Sequence, residues 1–232
     1  MTSVLALAGR VLVLSGIVSV QTAAQPEAAV SLAPFRSVEL RNGGTAVLRH
    51  GPTQRVTFLK GSPDHTQVSI ASGDGLVIEK CKRKCDRGYE LEIEIVTPEL
   101  ARITVAEGGP IQSRGTFPRQ AEIGVAVDNG GTIDIRSMSV DSINASAVSG
   151  GRILAKPLTA MGASVVDGGN ITYWGDARVT PSIQHGGVVT RGTPADVDKP
   201  LSEMGGLTSP APPVPAVPPI KGFDIFGVDM SA

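Results

Sequence analysis

Val127-Asp128-Asn129-Gly130-Gly131-Thr132-Ile133 (VDNGGTI) is one of five versions of the same short phrase. VAEGGPI begins at Val105, AVSGGRI at Ala147, VVDGGNI at Val165 and IQHGGVV at Ile183. The doublets Gly108-Gly109, Gly130-Gly131, Gly150-Gly151, Gly168-Gly169 and Gly186-Gly187 thus follow one another at steps of 22, 20, 18 and 18 residues. A period of about 20 residues predicts a β-solenoid, in which each coil buries its apolar face against the next. Equivalent side chains then fall into columns about 4.8 Å apart. Ile111, Ile133, Ile153, Ile171 and Val189 are expected to form one interior ladder, where branched aliphatics stack without voids. The doublets are expected to mark one corner repeated in every coil. Glycine accepts positive φ there, and adjacent corners can approach closely. Glu107, Asn129, Ser149, Asp167 and His185 precede the doublets and suit an exposed turn better than a calcium ladder, because the carboxylate does not recur often enough.

Outward from the repeats the pattern stays that of strands. Apolar residues recur at spacing two in Val38 and Leu40, Val56 and Phe58, Val68 and Ile70, Leu76 and Ile78, and Leu91, Ile93 and Ile95. Asn42-Gly43-Gly44, Gly51-Pro52, Gly61-Ser62-Pro63 and Gly73-Asp74-Gly75 punctuate them. No apolar stripe of helical period is long enough to compete, so the fold class is all-β. Of the 232 residues 41% are hydrophobic but only 3% aromatic, which gives one domain a core of Val, Ile and Leu. A formal charge of −1 excludes the basic footprint of a general nucleic-acid binder.

The two ends of the chain read differently. Arg10, the apolar run Val11 to Val20 and the small residues Thr22-Ala23-Ala24 form a signal-peptide pattern over 1–24, cut after Ala24. Ten apolar residues are too few to span a bilayer, which needs about 20. No transmembrane span is therefore expected after cleavage, and with no cysteine at the cut, no N-terminal lipid anchor. Residues 25–34 read as a leader and 35–192 as the solenoid domain. Residues 193–232 read as a disordered, Pro-rich tail, since SPAPPVPAVPPIKG favours polyproline II, with a small apolar patch at Phe223, Ile225 and Phe226. In an exported protein Cys81 and Cys85 should pair as a disulfide, because no histidine lies near to complete a metal site.

The stretches FRSVELRNGGTAVLRHG, GDGLVIEK, LEIEIVTPELARITVAEGG and ITYWGDARVTPSIQHGGVV, together with the glycine repeats, resemble the head GIN domain family of bacterial exported proteins, described as autotransporter adhesin heads. The resemblance covers about Phe35 to Arg191. It implies a right-handed, single-stranded β-helix. Two departures from the family pattern stand out: corners of Gly-Gly rather than Gly-Ser-Gly, and the missing lipoprotein cysteine.

No catalytic signature appears. Asp128, Asp134, Asp141, Asp167 and Asp176 stand at different places relative to the doublets, as expected for carboxylates scattered over a wet surface. His50, His65 and His185 lack the spacing of a metal site, and no nucleophile elbow, phosphate loop or dinucleotide fingerprint is present. The sequence thus offers no catalytic, metal or cofactor residues. Lys80, Lys82, Arg83, Lys84 and Arg87 crowd around the cysteines, either as a contact for anionic ligands or as a charged tip that discourages edge pairing. The expectation is a non-catalytic, exported binding or surface-display module of the periplasm or outer surface. Its partners would be acidic polysaccharide, the envelope surface or another envelope protein. A polysaccharide-active enzyme on the same scaffold, or an envelope structural protein joined through its open end or tail, are the alternatives.

Overall fold

The structure is a computed structural model and describes residues 29–30, 32–71, 73–82 and 85–206. The expected signal peptide and residues 207–232 of the expected tail lie outside the described residues. Seventeen strands follow in order: β1 (Ala29–Val30), β2 (Ser37–Arg41), β3 (Thr45–His50), β4 (Arg55–Lys60), β5 (Gln67–Ala71) and β6 (Gly75–Glu79). Next come β7 (Glu92–Thr97), β8 (Arg102–Ala106), β9 (Pro110–Arg114), β10 (Gln120–Asp128), β11 (Thr132–Asp134) and β12 (Val140–Val148). The last are β13 (Arg152–Ala155), β14 (Pro157–Val166), β15 (Asn170–Tyr173), β16 (Arg178–Gln184) and β17 (Val188–Arg191). Among the described residues there is no α-helix, only 3-10 turns at Pro194–Asp196 and Leu201–Gly206.

The strands form two large mixed sheets, neither closed on itself. One has the order β1-β4-β7-β3-β9-β11-β13-β15-β17 and the other β16-β14-β12-β10-β8-β2-β6-β5. From β8 onward the chain alternates between the sheets, and from β10 each strand pairs in parallel with the one two places earlier. The registers chain together. Ile111, Ile133, Ile153, Ile171 and Val189 are successive partners in the nine-stranded sheet. Val105, Val127, Ala147, Val165 and Ile183 are successive partners in the other. These columns contribute to one shared core, in which each fully buried isoleucine is worth roughly 1.5–3 kcal/mol.

The corners between the sheets show why the glycines come in pairs. Glu107, Asn129, Ser149, Asp167 and His185 all have φ between 49° and 64°, and the glycine after each has φ between 76° and 84°. Two consecutive positive φ values make the pattern of a type I′ turn. The Val166 carbonyl accepts from Gly169 N at 3.3 Å across the Asp167-Gly168 corner. Gly168 faces open space, so its role is the backbone conformation. Gly169 serves another purpose: a Cβ there would lie 2.3 Å from the Ala147 carbonyl oxygen of the preceding corner. One glycine turns the chain and the next lets the corners stack.

The N-terminal part departs from simple chain order. β2 lies between β6 and β8, and β3 lies between β7 and β9. The chain lays down one repeat, steps outward through β4 and β5, and returns to fill the gap with β6 and β7. Strands β4 and β5 run antiparallel to β7 and β6 and finish that end of the stack. Residues 29–30, within the segment read as a leader, form β1 and pair with β4. The opposite end has no such cover. Ile183 is 49% exposed, and Val189 is only half-buried. Pro181 stands in this edge strand, where a residue without an N–H discourages further pairing.

The stretch read as a tail from residue 193 is a folded strap over its first part. Leu154, Trp174 and Met204 form a second small core, joined by Val197 and Leu201. Trp174 Nε1 donates to the Thr193 carbonyl at 2.8 Å, and Arg152 donates to the Met204 carbonyl. Burial, and then the nearby Arg136 guanidinium, lower the Arg152 pKa from its ordinary value. Composition misled here because the strap holds few apolar residues, and those meet partners presented by the sheet.

Candidate functional site

The two cysteines are joined, Cys81 to Cys85, in a loop that leaves β6. Lys82 Nζ donates to the Pro63 carbonyl at 2.6 Å, so one of the loop's cations is held against backbone. Lys80 lines a small cavity of about 290 Å³ with Tyr89, Glu90, Glu92 and Lys60. Lys60 is paired there with Glu90 at 3.4 Å and Glu92 at 3.6 Å, and the Glu90 charge leads in raising its pKa. Arg87 is exposed, whereas Arg83 and Lys84 lie outside the described residues. The surface around this loop therefore mixes acids with bases.

The five aspartates do not converge. Asp128 accepts from the Asn129 N–H, Asp141 pairs with Arg119 at 2.6 Å, Asp167 lies 3.3 Å from His185, and Asp176 pairs with Arg191. Asp134 corrects the expectation of a wet surface. Its side chain is 4% exposed and forms a two-pronged pair with Arg136, itself 8% exposed. Arg136 also donates to the carbonyls of Asp196, Val197 and Lys199, which is why a charged pair is stable beneath the strap. His50 packs edge-on against Phe117 and His65 against Tyr89, while His185 sits at the last corner. Among the described residues, no three His, Cys, Asp or Glu side chains are grouped to hold a metal ion.

A larger opening comes from a mismatch in where neighbouring strands begin. β10 pairs with β12 from Gln120, but with β8 only from Gly124, the partner of Arg102. Over the first residues of β10 one side of the ladder is missing, because the chain before Arg102 turns toward Arg36. The Ala101 N–H donates to the Arg36 carbonyl at 2.7 Å. The result is a cleft of about 630 Å³ lined by Arg36, Glu99, Arg102, Arg119, Gln120 and Glu122, among others. Arg36 and Glu99 pair at 3.4 Å with both side chains mostly exposed. Glu122 accepts from Asn144 Nδ2 at 2.6 Å. Among the described residues Arg102 has no ion pair. Gln120 accepts from the Leu100 N–H at 3.0 Å through Oε1, while its buried Nε2 has no acceptor among the described residues.

Sequence reasoning singled out none of these cleft residues. Their only local signal is the polar stretch Arg119-Gln120-Ala121-Glu122 just before the apolar alternation of β10.

The family model described as "Putative auto-transporter adhesin, head GIN domain" matches residues 34–156. No curated protein matches the chain. Among solved structures, an adhesin described as putative from Bacteroides fragilis is 17% identical, covering 71% of this chain and 94% of its own, with a TM-score of 0.39. A cell adhesion protein of Clostridium sporogenes, likewise described, is 10% identical over 71% of this chain and 97% of its own, with a TM-score of 0.34. A lipid-binding protein of Parabacteroides distasonis, described in the same way, is 13% identical over 72% and 96%, with a TM-score of 0.28.

Proposed function

We propose that this chain, which belongs to the head GIN domain family of putative auto-transporter adhesins, is an exported, non-catalytic β-solenoid acting as an adhesion-type binding module of a bacterial envelope. The observation that carries this reading is the parallel pairing of the two ladders from β8 to β17, interrupted only by one bulge between β12 and β14. Such a stack offers a long, shallow outer surface, suited to polymers and other macromolecules more than to small metabolites. Coils of about 20 residues wound in a right-handed, single-stranded helix account for that register and for the recurring corners. A non-catalytic role is supported by the aspartates, each of which meets its own partner at a separate place. No helix among the described residues is long and apolar enough to cross a membrane.

Cell fractionation with N-terminal sequencing tests export, on which the reading depends. The expected product is a mature chain beginning at Gln25 in the periplasmic or surface fraction, and the purified mature chain should be retained by intact cells. Full-length chain confined to the cytoplasm would end the proposal.

A further inference from the structure

We infer that the step between β8 and β10 is a binding site for an extended, carboxylate-bearing polysaccharide. Arg102 would serve as its anion contact and the outer face beyond Asn144 as its track. The inference rests on the adhesion reading and gives that reading a ligand class and a place.

Three features of the cleft point to a ligand with both acidic and hydroxyl groups. Arg102 is exposed and unpaired among the described residues, so its planar donors are free to take a carboxylate side-on. Its side chain lies over Gly124, where a Cβ would come 3.9 Å from both Cγ and Nε. The buried Nε2 of Gln120 lacks an acceptor, and a buried donor left unmade costs about 1–3 kcal/mol. A ligand oxygen, directly or through one water, would relieve that cost. Glu99 and Glu122 supply acceptors for sugar hydroxyls.

The surface next to the cleft has the shape for a chain. Asn144 lines both the cleft and a shallower groove of about 360 Å³ formed with Ser146, Gly162, Ser164, Thr180 and Ser182. Gly124, Asn144, Gly162 and Thr180 are successive register partners, so cleft and groove together cross β10, β12, β14 and β16. Strands repeat about every 4.8 Å, comparable to the advance of one sugar in an extended polymer. Neither cavity is lined by an aromatic side chain. A neutral glycan would have no ring to stack on. The cleft offers charge and hydrogen bonding, and the groove beyond it a shallow floor of small side chains, mostly apolar where it meets solvent, over which sugar rings can lie.

Calorimetry with the mature protein tests the site, using polygalacturonate oligomers as the probe and dextran as the neutral control. Polygalacturonate should bind with an affinity that falls as salt rises, and dextran should not bind. Arg102→Gln should weaken binding at least tenfold, and Gly162→Phe should block the track to a similar extent. Arg114→Gln, on the other sheet, should leave affinity unchanged, with thermal unfolding confirming that each variant is folded. Equal binding by wild type and Arg102→Gln would overturn the site. So would binding lost in a Lys80→Ser/Lys82→Ser/Arg87→Ser variant but kept in Arg102→Gln. Wild type that adheres to cells yet ignores polygalacturonate would overturn the inference and leave the adhesion reading standing. Failure of both would remove the two together.

Discussion

Gly169→Ala is expected to lower the unfolding free energy by about 3 kcal/mol, an overpacking effect at the upper end of the usual range. The new methyl would meet the Ala147 carbonyl oxygen at 2.3 Å and its carbon at 2.7 Å. Both are backbone atoms of the neighbouring corner, so no rotamer change can relieve the contact. In a domain of this size the melting temperature should fall by about 6–12 °C. Gly168→Asn, one residue earlier, is the matched control. Gly168 has a φ of 80° and nothing near its missing Cβ, and asparagine tolerates that conformation better than other side chains. Its cost should stay below about 1 kcal/mol. Chemical denaturation of the two variants reads the difference. A reversed order would mean that the doublet serves turn geometry alone.

Arg136→Ala is expected to cost about 3–5 kcal/mol, because it strands the Asp134 carboxylate in a nearly dry place. It also removes the donors that hold the carbonyls of Asp196, Val197 and Lys199. Limited proteolysis should then cut between residues 193 and 206 at concentrations that leave the wild type intact. The double variant Asp134→Leu/Arg136→Met separates the two contributions. Replacing a buried pair by apolar groups of similar volume is often neutral, so much of the stability should return. The strap should remain sensitive to protease, since methionine cannot donate to its carbonyls. A strap that stays protected in both variants would show that Trp174 and Met204 suffice to hold it.

The repeating half of the fold is visible in the sequence because each corner imposes two separate demands on glycine. Position after position must adopt positive φ or lie against a neighbouring backbone, and few other residues meet either need. The ladder residues stand out for the same reason, as a column sharing one environment repeats one residue type. The order of the first strands is not visible. Alternation in Val38 and Leu40 or in Leu76 and Ile78 marks a face but says nothing of which strand lies beside which. Asp134 was hidden likewise, since its burial comes from Arg136 two residues on and from a strap about 60 residues away. The cleft was least legible of all. It arises because Arg102 and Gln120 begin their strands at different heights, a relation that exists only once the register is set.

The stacking of successive repeats is the claim on which fold, corners and binding surface all depend. Its most direct test is cross-linking of a Ser146→Cys/Ser164→Cys variant, whose two positions are register partners on the outer face of β12 and β14. A short thiol-reactive linker should join them rapidly within one molecule. The Ser146→Cys/Gln112→Cys pair, placed on different sheets, should stay unlinked. Equal linking of both pairs, or none in the first, would contradict the stack.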